Sequence, residues 1–326
     1  MTQVKIGTHD ESFHCDDVLA CVMLKMLPEY KNADIIRTKH KSLLDTCDIV
    51  VDVGGVFDHS KKRYDHHQHE FDKTMKSISQ GKLKYETKLS SAGLVYWFYG
   101  KSIICDFLKI DAGHNKAKIE YIFESAYKFF IKEIDHLDNH GGGKNSWTGL
   151  TARVGRLRPK WDDETQNFKD CFNAAYKLVK SEFIDCLKEF ESIWRARNIW
   201  KEKLNQRETF HRSGRVLILD KWIPGRDDLN RIQKELEIQD DETILYIVTP
   251  DPGHDRYTIK CTNTKYEEGN NKTLFPQKWR GKENVELEKI TKIPGSKYVH
   301  AGGWTAASDT IETALKMIDF FFQNQN

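Results

Sequence analysis

The chain has 326 residues, with 51 Lys+Arg against 49 Asp+Glu and a formal net charge of +2 at pH 7. That length can bury a sizeable core in two domains, and the near balance of charge argues against a global electrostatic grip on nucleic acid or membrane, so a polyanion would have to be held in a local groove. Seven cysteines scattered singly, with no Cys-x-x-Cys pair, argue against a disulfide framework or a Cys-rich zinc ribbon, and no long apolar run suggests a membrane span or secretory signal.

Val4-Lys5-Ile6-Gly7 reads as a short buried strand. Asp17 to Leu27 is apolar at helical spacing and stops at Pro28. Ala33 to Arg37 is strand-like, Lys41 to Thr46 a short helix, and Asp48 to Val53 a continuous apolar strand of the kind covered on both faces. This βαβαβ order opens an α/β sheet, whose ligands bind at the carboxyl ends of the strands. The first strand begins by about Val4 and delivers His9 at once, so no transit peptide is expected in these residues. An intracellular protein, cytoplasmic or nuclear, is expected. Helices follow from Ser90 or Ser91 (plausible N-caps) to about Leu108, and from Asn115 to about Asn139. Gly141-Gly142-Gly143-Lys144 lacks phosphate-loop spacing and does not follow a strand, so it reads as a flexible loop. A long helical stretch from Asp163 to about Arg207 is the expected connector. Beyond it Arg215–Asp220, Thr243–Thr249 and Arg256–Cys261 are strand patterns, the first two separated by a helix around Asp228–Glu237. The chain ends in a helix from about Thr305 to Phe322. The expected division is residues 1–165 as a metal-binding α/β domain, 166–208 as connector, and 209–326 as a smaller substrate-binding α/β domain.

Three acid/imidazole clusters sit on the carboxyl side of strand patterns: Thr8-His9…His14-Cys15-Asp16-Asp17, Val51-Asp52-Val53-Gly54-Gly55 and Tyr64-Asp65-His66-His67-Gln68. Imidazole and carboxylate ligate Mn²⁺, Fe²⁺ or Zn²⁺, and a bridging Asp can hold two ions roughly 3.5–4 Å apart. His9, His14 and Asp16 can converge from one loop. Asp52 ends a buried strand, where an unpaired carboxylate is costly and coordination accounts for its place. His66 fits as an imidazole ligand, and His67 as a proton donor or phosphate holder. Asp65 reads as the carboxylate that fixes an imidazole tautomer, with direct ligation as the rival. Cys15 reads as a packed thiol rather than a thiolate ligand. Asp135, with His136, Asp138 and His140, is on composition either ligand or ordinary polar helix end.

The triplet Asp65-His66-His67, the upstream His-x4-His-x-Asp loop and the strand-end Asp resemble the DHH phosphoesterase superfamily, which includes exonucleases, oligoribonucleases and manganese pyrophosphatases. The match is closer to its melanocyte-proliferating-gene branch of RNA exonucleases, through Gly7-Thr8-His9, Phe13 to Asp16, Asp48 to Gly55, Tyr64 to Gln68, Lys88 to Leu94, Asp135 to Asn139, Leu150 to Val154, Pro276 to Gly281 and Ile293-Pro294-Gly295. The resemblance implies a mostly parallel α/β domain with a smaller C-terminal α/β domain across a cleft. It implies two divalent ions, Mn²⁺ with Mg²⁺ as the alternative: His9, His14 and Asp52 on one, Asp16, Asp52, His66 and Asp135 on the other. The wider superfamily usually carries Asp where His14 stands, which puts the pyrophosphatases' metal preference in doubt here. The implied substrate is single-stranded RNA or short oligonucleotides, degraded from the 3′ end to nucleoside monophosphates, with no membrane and no obligate protein partner.

Arg153, Arg156, Arg158 and Lys160 would suit the backbone of a single strand, with Trp147, Trp161 or Trp194 as stacking faces; the basic residues from Arg195 onwards read as a solvated helix face. Arg153, Arg280, Lys292 and His300 are candidates to hold substrate, and Gly302-Gly303 could offer free backbone N–H groups to an anion. Three rivals share the metal chemistry or the fold, one of them a protein that stores or senses metal, which would not need the second domain or its basic residues. A pyrophosphatase or nucleotide phosphatase would need a short, strongly basic pocket, and a non-catalytic RNA-binding module would typically have lost ligands.

Overall fold

The computed structural model describes residues 3–140, 147–262 and 274–323, so the segment Gly141–Lys144 lies outside the described residues. The chain forms two compact units, Met1–Glu191 and Ser192–Asn326. Among the described residues no helix is long and apolar enough to cross a membrane.

The first unit runs β1 (Lys5–Thr8), α1 (Cys15–Met26), β2 (Asp34–Arg37), α2 (Lys41–Leu44), β3 (Ile49–Val51), β4 (Phe57–Asp58), β5 (Arg63–Tyr64), α3 (Met75–Ile78), α4 (Ser91–Leu108), α5 (Lys116–Ala126), a π-turn (Tyr127–Ile131), α6 (Lys132–His140), α7 (Leu150–Arg156) and the larger part of α8 (Phe168–Asn205). Its sheet has the order β2-β1-β3-β5-β4, parallel throughout except that the short β4 pairs antiparallel with β5. Ile6, Ile49, Val50 and Val51 are all buried, as parallel strands with both faces covered require. α1 is buried along its whole length from Cys15 to Leu24 and packs chiefly against α4. Asp17 reaches back to accept the His14 N–H at 2.6 Å, and with Asp16 it puts negative charge at the positive end of the α1 dipole.

The helix expected from Asn115 to Asn139 is interrupted. Five residues, Tyr127–Ile131, form a π-turn between α5 and α6. The turn leaves Phe129 61% exposed while Tyr127 and Ile131 stay buried, and it brings the Tyr127 hydroxyl to Asp135 Oδ2 at 3.2 Å. Such turns cluster at functional sites, and this one leads into α6, which carries Asp138 to the Asp/His cluster described below.

The second unit continues with α9 (Arg207–Phe210), β6 (Val216–Ile218), α10 (Leu229–Glu235), β7 (Tyr246–Pro250), β8 (Tyr257–Cys261), α11 (Asn284–Thr291), β9 (Ser296–Val299), β10 (Thr305–Ser308) and α12 (Ile311–Gln323). Its sheet is β6-β7-β8-β10-β9, with only β6 and β7 parallel. Successive residues alternate between two cores: Val216 and Val248 pack with α12 residues Met317 and Ile318, whereas Leu217 and Ile247 pack with Trp200 and Ile232. Thr305–Ser308, expected to start the terminal helix, is instead a strand paired with both β8 and β9. Two flanking ladders outweigh the helix preference of Ala306 and Ala307, which lie buried in them.

Ser90 does not cap its own helix. Its N–H and hydroxyl both donate to Asp135 Oδ1, at 2.9 and 2.7 Å, and Gly93, one turn on, packs so closely that a Cβ there would overlap the Asp135 carboxylate. Gly93→Ala should therefore destabilise the protein by about 1–3 kcal/mol, the usual cost of forcing a methyl into a packed site. Urea unfolding followed by circular dichroism measures this, and a wild-type midpoint would contradict it.

Candidate metal centre

The carboxyl ends of the three central strands deliver the cluster. β1 ends at Thr8 and hands over His9, β3 ends at Val51 before Asp52, and β5 ends at Tyr64 before Asp65-His66-His67. Asp16 and Asp17 come from the first turn of α1, and Asp138 from α6. Asp52 takes a left-handed backbone conformation, φ 58°, which ends the strand. Its two oxygens face opposite ways: Oδ2 lies 3.3 Å from His9 Nε2 and Oδ1 3.2 Å from His66 Nε2. The Ser91 hydroxyl also donates to Oδ1, at 3.1 Å. His66 Nε2 is 3.1 Å from Asp138 Oδ2 and 3.7 Å from Asp16 Oδ2, and His9 Nε2 is 3.7 Å from Asp17 Oδ2. Ligand-capable atoms lie within 4.8 Å of one another in the sets His9/His14/Asp52, Asp52/His66/His67, His14/Asp16/Asp138 and Asp16/Asp17/Asp52.

Both oxygens of Asp16 are fully buried without a hydrogen-bond partner, as are Asp17 Oδ2 and the Thr8 hydroxyl. Buried carboxylates with empty lone pairs are expensive unless a cation meets them, and oxygen and imidazole donors are the set that divalent metals of the Mn²⁺, Fe²⁺ and Zn²⁺ kind accept. The residues present therefore fit a divalent cation. The charge distribution agrees. Burial, with Asp52 and Asp138 close by, pushes the Asp16 carboxyl well above its usual range, and burial raises Asp17 to about 7 against the pull of His9. Burial works against the His9 imidazolium, but the Asp52 hydrogen bond and the Asp17 and Asp52 charges win and raise it to about 9. His66 likewise overcomes burial through Asp138 and Asp52, reaching about 10. Asp52, though buried, is held below the carboxylate range by hydrogen bonds from His66 and His9.

Asp65 is occupied on all sides. Its Oδ1 accepts the N–H groups of His66 (2.7 Å) and His67 (3.1 Å) and the His67 Nδ1 (2.8 Å), and its Oδ2 accepts the Gly55 N–H at 2.6 Å. It therefore holds the His67 ring, whose side chain is 61% exposed. Cys15 is a buried thiol, pushed up by burial. The structure separates Asp135 from the cluster: Ser90 and Tyr127 take its carboxylate, and burial raises it to about 7. Asp138, one turn along, points inward instead. Three residues apart on one helix, the two are indistinguishable by spacing, and only the packing of α6 beside α4 separates them.

Several expected substrate contacts are engaged internally. Arg153 pairs with Glu182 at 2.7 Å. The Gly302 N–H donates to His300 Nδ1 (2.9 Å) and the Gly303 N–H to the His300 carbonyl (2.8 Å), so the cradle of free N–H groups expected there is closed on itself. Arg280 packs against Gly303 (φ 73°) and donates Nε to the Phe275 carbonyl at 2.8 Å. Arg280, His300, Gly302 and Gly303 thus share one turn of the second unit, whereas the exposed Lys292 ends α11 with φ 61°. Arg158, which the sequence marks only as one of a basic run, donates Nε to the Phe13 carbonyl at 2.6 Å, beside His14.

The profile of the MYG1 exonuclease family (uncharacterised protein family UPF0160) matches residues 5–320. The chain is 36% identical over 329 residues to a Mus musculus protein named MYG1 exonuclease, covering 97% of this chain and 84% of that protein. The Homo sapiens MYG1 exonuclease is 35% identical, with 97% and 85% covered, and a Saccharomyces cerevisiae MYG1 protein 27% identical, with 96% and 94% covered. Among solved structures, RecJ from Thermus thermophilus in complex with Mn²⁺ aligns with 99% of this chain and 52% of its own at 12% identity and a TM-score of 0.24, a level too low to show a common fold.

The orphaned Asp16 gives a direct test. Replacing its carboxylate with Asp16→Asn should raise the metal-free melting temperature, because it takes one unpartnered buried acid out of a cluster of like charges. The same variant should lose most of the stabilisation that millimolar Mn²⁺ gives wild type. Thermal scans in EDTA and in Mn²⁺ measure both, and an undiminished metal response in the variant would remove Asp16 from the site.

Proposed function

The chain belongs to the MYG1 exonuclease family, and from that premise we propose that it is a metal-dependent phosphodiesterase that removes nucleoside monophosphates from the 3′ end of single-stranded RNA. The observation that carries the metal dependence is the fully buried Asp16 carboxylate with both oxygens unpartnered at the carboxyl edge of a parallel sheet. His9, His14 and Asp52 would hold one ion, and Asp16, Asp52, His66 and Asp138 the other. Asp138 takes the place that the resemblance gave to Asp135, since its Oδ2 is 3.1 Å from His66 Nε2 while Asp135 is spent on Ser90 and Tyr127. The imidazole share of the donor set favours Mn²⁺ over Mg²⁺. Bound ions would supply a water acidic enough to attack at neutral pH and neutralise charge gathering on the phosphoryl oxygens.

The chain's own groups do the positioning. His67 has Nδ1 fixed by Asp65, which, with the Asp52 charge, raises the imidazole above its usual range and leaves Nε2 to meet a phosphate oxygen or protonate the leaving oxygen. Residues 209–326 are assigned to substrate holding through Arg280, Lys292 and His300, with Gly302 and Gly303 shaping the turn rather than donating to the anion. Arg153, paired with Glu182, is assigned to the α7–α8 contact instead.

Hydrolysis of 5′-labelled single-stranded RNA, the matching DNA and pyrophosphate in Mn²⁺ tests this reading. A ladder shortening from the 3′ end of RNA is expected. Asp52→Asn, which tolerates the left-handed backbone and keeps the shape but loses the charge, should reduce it at least a thousandfold. His67→Gln should keep the Mn²⁺-induced rise in melting temperature and lose about 10²–10⁴ in rate. Turnover of pyrophosphate alone, or a ladder running from the 5′ end, would overturn the RNA exonuclease assignment.

A further inference from the structure

Two tryptophans of the first unit stand in solvent, Trp147 at 75% and Trp161 at 91% exposure. An indole carries a large apolar face, and leaving two of them wet forgoes burial that the core could have used. They bracket α7 in sequence. Arg156, in its last turn, lays its guanidinium over Trp147, with Cζ 4.9 Å from the ring centroid, and donates Nη1 to the Trp147 carbonyl at 2.6 Å. Lys160 folds back onto the Arg156 carbonyl at 2.9 Å. Arg158 donates Nε to the Phe13 carbonyl at 2.6 Å, one residue from His14. The side chains of Arg156, Arg158 and Lys160 donate their hydrogen bonds to carbonyls, whereas Arg153 pairs with the Glu182 carboxylate. Beyond Trp161 in sequence, Asp162, Asp163 and Glu164 are exposed, and Asp163 turns back to accept the Lys160 N–H at 2.5 Å. The run of cations that a polyanion could follow therefore ends at Lys160.

Sequence-tolerant binding of single strands uses two contacts together, cations that follow the phosphates and flat aromatic faces on which bases stack. Here both kinds occur on one short stretch of chain, and its Arg158 end touches the loop that carries His14. We propose that α7 and the segment through Trp161 form a docking strip for single-stranded nucleic acid, with phosphates on Arg156, Arg158 and Lys160 and bases stacked on Trp147 and Trp161. The strand leads from there to the His14 side of the metal centre. The strip rests on the nuclease reading and adds to it a preference for length: a dinucleotide offers two bases and one phosphodiester, fewer than two rings, three cations and the metal centre can engage, and a longer strand gains the remaining contacts.

The test separates the two readings. Binding of a fluorescein-labelled single-stranded RNA of about twelve nucleotides is followed by anisotropy in EDTA for wild type, Trp161→Ala, Arg156→Glu and, as a control in the second unit, Trp222→Ala. Hydrolysis of the same RNA and of a dinucleotide is followed in Mn²⁺. Trp161→Ala should weaken binding roughly tenfold, Arg156→Glu should also flatten its salt dependence, and Trp222→Ala should bind as wild type. The wild-type preference in kcat/KM for the long strand over the dinucleotide should fall in Trp161→Ala by a similar factor. Wild-type binding by both Trp161→Ala and Arg156→Glu, or no length preference in wild type, would overturn the strip while leaving the nuclease standing. Absence of hydrolysis in every metal, with the binding losses intact, would overturn the nuclease and leave the strip. Equal losses for the matching DNA would widen the ligand to either nucleic acid.

Discussion

The Asp52 carboxylate has an imidazole on each side, His9 on Oδ2 and His66 on Oδ1, and it is almost wholly buried. One carboxylate can serve two neighbours only if its plane is fixed, and three features fix it. The left-handed φ turns the chain sharply after Val51, the Asp52 N–H bonds the Tyr64 carbonyl at 3.1 Å, and the Ser91 hydroxyl holds Oδ1 while also reaching the Tyr64 carbonyl at 2.8 Å. A left-handed non-glycine residue costs about 1–2 kcal/mol, small beside the electrostatics it arranges. β3, β5 and the start of α4 are thereby tied to a single side chain.

Around that point the first unit has gathered more negative charge than it can compensate alone. Asp16, Asp17 and Asp52 are all buried, and Asp138 lies against them, with His9 and His66 as the buried or nearly buried imidazoles that answer and His67 at 3.7 Å from Asp52 at the rim. Water is excluded by α1 and α4, so the repulsion is little screened. Folding without a cation therefore leaves the carboxyls competing for protons, which accounts for opposite shifts within one cluster: Asp16 and Asp17 upward, Asp52 downward.

Much of this is legible from residue order. Apolar runs bounded by acid and imidazole place β1, α1 and β3, and with them the strand-end positions of His9, Asp52 and His66. What escapes depends on packing rather than pattern. Asp135 and Asp138 share a helix and a chemistry, and Ser90, 45 residues upstream of Asp135, decides which one is spent. Thr305–Ser308 reads as a helix start until two neighbouring strands claim it. The His300 turn offers glycine N–H groups on paper, but the imidazole and carbonyl of His300 take them first. Each of these arrangements is a hydrogen bond whose partner is chosen by the folded chain rather than by residue type.

The π-turn at Tyr127–Ile131 has a consequence for how the gene can vary. A π-turn holds one residue more than the α-turn it replaces, so the helix flanking it carries a spare position. Lys128 and Phe129 are the exposed residues of the turn, Phe129 resting against Phe190. Loss of one codon there would let α5 and α6 merge into regular helix with both ends still in register, whereas the same loss inside α6 would turn Asp138 by about 100° away from His66. Two single-codon deletions a few residues apart would thus be read very differently by selection.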